Sequence, residues 1–349
     1  MKRPLGGIHR LLQALTLVAL LLCASPLYAG PAGLCKPEGE TPLVKGSACA
    51  APGPAIATAA LGHDGCAQPQ TCGGGGIPAL SGSCACPSGN RIRVAEFTTG
   101  MYESAPYVAE RLGPMLGVLT TTPFNVICVN EVWVPEVKAI FNQILQLTGQ
   151  YPSVYEAPVA KSSMLFSVLP FIETDYHQFQ GPASDRAIIY AKIERGGQPI
   201  HVFCSDLTAG GRYPRWAQAL NLWESLELIN YIEAKADGGL AIFLGDTGSG
   251  PLLDSTDARW PFNFAVLQSH LTDLLLATST AGCTHRCAGN PLSPANSQPR
   301  YVDHIMVSGP HCPVDAQVIF TQPIVTVPDA GPVPISTHYG VYADICLEP

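Results

Sequence analysis

Three acidic residues and one histidine stand where their types and surroundings could do chemistry. Glu131 follows the apolar run Phe124-Asn125-Val126-Ile127-Cys128-Val129, in Asn130-Glu131-Val132-Trp133. A buried strand that delivers one carboxylate to its C-terminal end and then turns into a helix is suited to hold a divalent metal. Leu240 to Leu244 is a second apolar run, ending in Gly245-Asp246, and Asp303 sits inside the alternation Tyr301-Val302-Asp303-His304-Ile305. His338 follows near the C-terminus in Ser336-Thr337-His338-Tyr339-Gly340.

The elements that must position these groups are legible as an alternation of strands and helices from Arg91 onward. Ile92 to Phe97 reads as a first strand, and a helix that opens at Pro135 puts Val137, Ile140, Phe141, Ile144 and Leu145 on one face before Gly149 ends it. Met164 to Leu169, Ile172 to Phe179, Ala187 to Ile193 and Ile200 to Cys204 read as strands, the last two joined by a hairpin at Gly196-Gly197. Trp216, Leu220, Trp223, Leu226, Ile229 and Ile232 recur at helical spacing up to Gly238-Gly239, and this stripe reads as a core-facing helix rather than a lipid-binding one. Tyr301 to Val307, Ala316 to Phe320 and Val341 to Cys346 are short strands of the tail. Hairpins mixed with strand–helix units predict an α/β protein whose two-layered β-sandwich is flanked by helices.

Lys2, Arg3 and Arg10 precede the apolar run Leu11 to Leu22, and Leu27-Tyr28-Ala29 offers a small residue for cleavage, so residues 1–29 read as a secretory signal. The protein is then expected to be secreted or periplasmic. Without that leader the chain carries 16 basic against 27 acidic residues, a formal charge of −11. Such a balance disfavours nucleic acid as the main partner, since phosphate binding leans on Lys and Arg. Charged residues make up 13% and apolar ones 47%, enough for a large core in one domain over residues 91–349.

Twelve cysteines follow the leader, an even number in an exported chain, which favours disulfides. Six of them crowd residues 30–90, a Gly- and Pro-rich extension without sustained periodicity. Cys283 and Cys287 flank His285 and read as a local disulfide rather than a zinc site, while Cys128 and Cys204, inside apolar runs, read as small buried thiols.

Five motifs in order resemble the endonuclease/exonuclease/phosphatase superfamily, and within it the neutral sphingomyelinase-like phosphodiesterases. They are Asn130-Glu131-Val132-Trp133, His201-Val202-Phe203-Cys204-Ser205-Asp206-Leu207, Gly245-Asp246-Thr247-Gly248, Arg300-Tyr301-Val302-Asp303-His304-Ile305 and Ser336-Thr337-His338-Tyr339-Gly340-Val341. The resemblance covers about Arg91 to Cys346 and implies the DNase I-like fold and metal-assisted attack of water on a phosphodiester. It implies Glu131 as ligand of Mg²⁺ or another divalent cation, His338 as general base, Asp303 as its orienting partner and Asp246 as the group that positions the nucleophile. A phospholipid headgroup or another small phosphodiester is the implied substrate, and Trp260-Pro261-Phe262-Asn263-Phe264 the candidate for peripheral membrane contact.

Four positions depart from the family pattern. Thr98 stands where a metal-binding asparagine is expected, Asp206 replaces the phosphate-binding histidine of the Thr-His-Leu strand, Gly248 replaces the second residue of Gly-Asp-x-Asn, and Thr337 replaces an aspartate. Each removes a donor or ligand, and loss of one such group typically lowers the rate on the order of 10²–10³-fold. Two readings follow: a phosphodiesterase with impaired or altered catalysis, in which Asp206 could add a carboxylate beside Glu131, or a catalytically silent exported binding module.

Overall fold

Ile92, Val94, Glu96 and Thr98 point one way along the first strand, Ala95 and Phe97 the other, because successive side chains of a strand alternate between its faces. That alternation, repeated in neighbouring strands, builds the fold and ends it in a polar site. The computed structural model describes residues 86, 88–181, 186–209, 216–254, 256–294, 296–327 and 329–347. The expected leader, and the extension to Asn90 apart from Cys86 and Ser88–Asn90, lie outside the described residues.

In chain order the strands are β1 (Arg91–Met101), β2 (Val126–Val132), β3 (Ser153–Tyr155), β4 (Met164–Ser167), β5 (Glu173–Gln178), β6 (Ala187–Arg195), β7 (Gln198–Asp206), β8 (Leu240–Asp246), β9 (Thr272–Asp273), β10 (Asp303–Ser308), β11 (Cys312–Ile319), β12 (Val325–Val327), β13 (Gly331–Val333) and β14 (Gly340–Cys346). The helices are α1 (Val108–Thr121), α2 (Pro135–Leu147), α3 (Ala217–Ala236), α4 (Pro261–Gln268) and the single turn α5 (Leu274–Ala277). One six-stranded sheet has the order β11-β14-β1-β2-β4-β3 and the other β5-β6-β7-β8-β10-β9. β1 pairs with β2, and β7 with β8, in parallel, while the other pairings are antiparallel, so both sheets are mixed.

Between the sheets lies a core to which β1 gives Ile92 and Val94, β2 Val126 and Cys128, β7 Ile200, Val202 and Cys204, β8 Ile242 and Leu244, and β10 Ile305 and Val307. The opposite face of the first sheet, with Phe97, Ile127 and Val129, packs on α1 and α2 through Leu112, Met115 and Phe141. The opposite face of the second, with Phe203, Phe243 and Met306, packs on α3 and α4 through Leu228, Ile232 and Phe264. This is the predicted sandwich flanked by helices. The hairpin between β6 and β7 falls at Gly196-Gly197 as predicted, and both residues have positive φ, 61° and 78°, which glycine adopts at no steric cost.

Two expectations are overturned. Cys128 and Cys204 are not free thiols: they form a disulfide across the inter-sheet core, joining β2 to β7. Buried cysteines in apolar strands look alike from sequence whether or not the strands face each other. The bond closes a separation of 76 residues. Replacing both cysteines by alanine is expected to lower the unfolding free energy by about 4 kcal/mol in a urea titration, with Cys283–Cys287 intact.

The aromatic part of the α3 stripe does not face the core. Trp216, Trp223 and Leu226 are 68%, 55% and 44% exposed, while Ile229 and Ile232 of the same stripe are buried as predicted, together with Asn221, Glu224, Ser225 and Leu228. Its inward face is partly polar because it must satisfy loop backbone. The Asn221 amide donates to the carbonyls of Thr208, 3.0 Å, and Thr247, 2.6 Å.

Candidate active site

The inter-sheet faces change from apolar to polar at one end of the sandwich. Beyond Val94 on β1 come Glu96 and Thr98; beyond Cys128 on β2 comes Asn130; beyond Cys204 on β7 comes Asp206; beyond Leu244 on β8 comes Asp246; and Asp303 precedes Ile305 on β10. Asp206, Asp246 and Asp303 occupy matched register positions on three adjacent strands. Like charges directly opposite one another are destabilising, so this row needs compensation.

His338 provides part of it. Its Nδ1 faces Asp303, 2.9 Å from Oδ2 and 3.1 Å from Oδ1, and both side chains are buried. Burial opposes charge on the ring, but the fields of Asp303, Asp246 and Glu131 outweigh it and raise its pKa to about 10. Asp246, Asp303 and His338 bring potential ligand atoms within 4.8 Å of one another. Burial, then the charge of Asp303, pushes the Asp246 carboxyl well up.

Arg186 compensates Asp206. Its Nη1 forms an ion pair with Oδ1 of Asp206 and donates to the carbonyls of Asp206, 2.8 Å, and Leu207, 3.1 Å. The guanidinium also lies over the Trp133 ring, 5.6 Å from its centre. The repulsion expected between Asp206 and a phosphate is thereby offset within the protein. Burial raises the Asp206 carboxyl and Arg186 pulls it back.

Glu96, which the sequence reading passed over, is fully buried in this site. Its Oε1 accepts from the Thr98 hydroxyl, 2.9 Å, and the Asn130 amide, 3.2 Å, while Oε2 is buried without a partner. Burial and then the charge of Asp303 push its carboxyl well up. Asn130 is held in one orientation, because its Oδ1 accepts from Ser163, 2.7 Å. Glu131, beside it, is only partly buried and has a φ of 57°. A non-glycine residue in the left-handed region stores on the order of 1 kcal/mol or more, and such strain collects at functional sites.

Backbone contacts fix the loops. Ser336 donates its hydroxyl to the Thr98 carbonyl, 2.7 Å, and accepts from the His338 N–H, 3.0 Å. Thr284 accepts through its hydroxyl from the N–H groups of Val302 and Asp303, 3.1 Å each, and through its carbonyl from Tyr339. The predicted Cys283–Cys287 disulfide closes this loop and lays His285 face to face on His338, 3.9 Å between ring centres and 12° between planes. His285 is thus a second site residue that sequence spacing alone did not assign to chemistry.

Gly248 is closed to side chains. Its N–H donates to Asp246 Oδ1, 2.7 Å, its φ is 59°, and an added Cβ would lie 2.9 Å from the Ala209 Cβ. An asparagine there would need the backbone to move, so this departure from the family pattern is built into the loop packing.

The site also has a titrating support outside the carboxylate row. Glu224 on α3 accepts from Thr208, 2.6 Å at the N–H and 2.7 Å at the hydroxyl. Burial raises its pKa from 4.5 to about 7 despite those bonds. A raised carboxyl favours folding in its protonated form. Its contribution is therefore full below pH 4.5 and is lost as pH rises through about 7, a change of about 3 kcal/mol. Glu224→Gln, whose amide can serve both Thr208 groups, is expected to flatten that interval in urea titrations at pH 5 and 8.

No family model and no curated protein sequence matches the chain. Solved structures do. TDP2 from D. rerio, in complex with a single-strand DNA product, superposes with a TM-score of 0.59 over 74% of this chain and 99% of that one, at 15% identity. Sphingomyelinase C from Streptomyces griseocarneus gives 0.55 over 73% and 99%, at 14% identity. An endonuclease/exonuclease/phosphatase from Beutenbergia cavernae gives 0.53 over 74% and 72%, at 16% identity.

The chain has the endonuclease/exonuclease/phosphatase fold. Identities this low carry the fold and not the activity. Among proteins sharing the endonuclease/exonuclease/phosphatase fold are one bound to single-strand DNA and one named for sphingomyelin, so the expectation that nucleic acid is disfavoured gains no support from them.

Proposed function

We propose that the protein is an exported, metal-dependent phosphodiester hydrolase whose site has been rebuilt around Glu96, Asp206 and Arg186. The observation that carries this reading is the buried Asp303–His338 pair with Asp246 beside it, at the end of an otherwise apolar sandwich. A structural role alone does not require three carboxylates in one register with two buried carboxylate oxygens, Glu96 Oε2 and Asp206 Oδ2, left unpartnered.

Hard oxygen donors of this kind suit Mg²⁺ or Mn²⁺, and Glu131, Thr98 and the carboxylate row are the residues that would hold the ion. When bound, it supplies positive charge against the charge that develops on the phosphoryl oxygens. In the reaction, a water oxygen bonds to phosphorus, its proton passes to Nε2 of His338, neutral once positive charge held on the carboxylate row offsets the fields that raise its pKa, and the phosphorus–oxygen bond to the departing alcohol breaks, the alkoxide taking a proton from solvent. Asp303 holds the ring through Nδ1 so that Nε2 faces the reacting group, and Asp246 orients the water. Arg186 and Arg300, whose Nη1 is buried without a partner, offer donors to the phosphate in place of the histidine and asparagine that the motif resemblance implies.

A phospholipid headgroup is the favoured substrate. Exposed Trp216 at the start of α3, Trp223 on α3 and Phe262 on α4 lie along two helices that pack together, with Asn263 donating to the Gln218 carbonyl, 2.8 Å. Phe264 of the same aromatic segment is buried and stacks on His304, so only part of that segment is available to a membrane. Export is supported by the basic and apolar leader and by the disulfides. Among the described residues no helix is long and apolar enough to cross a membrane.

Hydrolysis of sphingomyelin vesicles, a soluble phosphodiester and single-strand DNA by the same preparation tests the reading. Trp223→Ala with Phe262→Ala is expected to lower turnover on vesicles about tenfold and leave the soluble substrate unchanged. Equal loss on both would remove the membrane from the account, and cleavage of DNA alone would reassign the substrate.

A further inference from the structure

Asp303 holds the His338 ring through one nitrogen. That contact fixes where Nδ1 sits and leaves the ring free to rock about the line joining it to the carboxylate, so that Nε2 sweeps an arc. Proton transfer needs Nε2 within hydrogen-bond reach of the water, and a misplacement of about 1 Å can cost on the order of 10²-fold in rate. A second restraint has to act on the plane of the ring.

His285 supplies one. Its ring lies flat on that of His338, with 3.9 Å between centres and 12° between planes. The two residues are neighbours across an isolated antiparallel bridge, so the backbone itself sets the rings side by side. His285 is anchored independently of the ring that it covers. Its N–H donates to the Arg300 carbonyl, 3.0 Å, and its carbonyl accepts from the Arg300 N–H, 2.9 Å. The Cys283–Cys287 disulfide closes the loop around it over a separation of 4 residues, and Arg286 turns the chain sharply with a φ of 56°. On its other side Thr284 accepts from the N–H groups of Val302 and Asp303, which ties the loop that carries His285 to the start of the strand that carries Asp303. Burial, then the charge of His338, lowers the His285 pKa well below its ordinary value, so the stacked ring sets no second charge against its neighbour.

We propose that His285 is a positioning residue for hydrolysis: its ring, anchored by the Cys283–Cys287 loop, fixes the plane of His338 and with it the direction of Nε2. This rests on the hydrolase reading above and adds to it a residue that touches no reacting atom. Asp303 sets the place of the base, and His285 sets its tilt.

The kcat and KM for bis(4-nitrophenyl) phosphate with saturating Mn²⁺ test it, on variants shown to be folded by their melting curves. His285→Leu, which keeps the bulk but not the flat face, is expected to lower kcat about tenfold with KM within about twofold of wild type. His285→Phe, which restores a flat face, is expected to recover most of that loss. In a His338→Ala background, His285→Leu is expected to cost less than about twofold, since the restraint then has nothing to hold. A residue that only supports the fold would lower the melting temperature and leave kcat per folded molecule unchanged. His285→Ala, which needs no repacking, serves if the leucine variant does not fold. Wild-type kcat in the leucine or alanine variant, a loss as large with phenylalanine as with leucine, or an undiminished loss in the His338→Ala background would each overturn the assignment of His285 and leave the hydrolase reading standing. Absence of turnover by wild type would overturn both.

Discussion

Replacing Arg111 by alanine is expected to destabilise the protein by about 4 kcal/mol or more, a large share of the roughly 5–15 kcal/mol by which domains are ordinarily stable. Arg111 is fully buried on α1 and has no carboxylate in hydrogen-bonding contact. Its guanidinium donates to four carbonyls: Pro106, 3.0 Å; Thr99, 3.0 Å; Ile335, 2.9 Å; and Gly100, 2.8 Å. An orphaned buried acceptor costs about 1–3 kcal/mol, and the substitution orphans several while opening a cavity. Burial lowers the pKa of the group to about 10, still charged at neutral pH, with Tyr102 and Glu131 acting to keep it so. The carbonyls belong to the end of β1 and to the segment just before His338, so Arg111 clamps together the two pieces of chain that carry Glu96 and the histidine. Lysine, a point donor, is expected to recover only part of the loss. Urea unfolding of the three proteins at one pH measures both differences.

His338→Ala is expected to lower phosphodiester hydrolysis by 10²–10⁴-fold, with little change in substrate affinity, because it removes the side chain assigned to accept the water proton. Asp303→Asn is expected to be nearly as damaging. An asparagine can still bond to Nδ1, but it removes the charge that favours the imidazolium formed as the proton moves. The double variant is expected to be no worse than the worse single one, since the pair acts as a unit. Additive losses would mean that the two residues act separately.

The architecture was legible where one physical rule governs. Ile200 to Cys204 and Leu240 to Leu244 are apolar because parallel strands buried on both faces must be, and Gly196-Gly197 marks a turn that needs positive φ. Glu131, Asp246, Asp303 and His338 stood out as polar groups at strand ends. Glu96 was hidden by its setting among Ala95 and Phe97, although the period of two that joins Ile92, Val94, Glu96 and Thr98 placed it on the site face. Helix α1 left little signal, because Gly113, Pro114 and Gly117 interrupt its propensity and tertiary packing overrides them. For α3 the predicted face held at Ile229 and Ile232 and failed towards the N-terminus: Asn221 and Glu224 are turned inward by the carbonyls and N–H groups of the loops they serve, which pushes Trp216 and Trp223 out. Arg186 had no local signal, and His285 showed only its flanking cysteines. Their partners, Asp206 and His338, are brought to them only by strand pairing and by the isolated bridge between His285 and His338.

The most direct test of the central claim is the rate of bis(4-nitrophenyl) phosphate hydrolysis with saturating Mn²⁺, measured side by side for wild type and His338→Ala from identical preparations. The account predicts chelator-sensitive turnover by wild type that falls at least a hundredfold in the variant. Equal rates for the two, at whatever level, would contradict it and make the buried Asp303–His338 pair a structural feature of a binding protein.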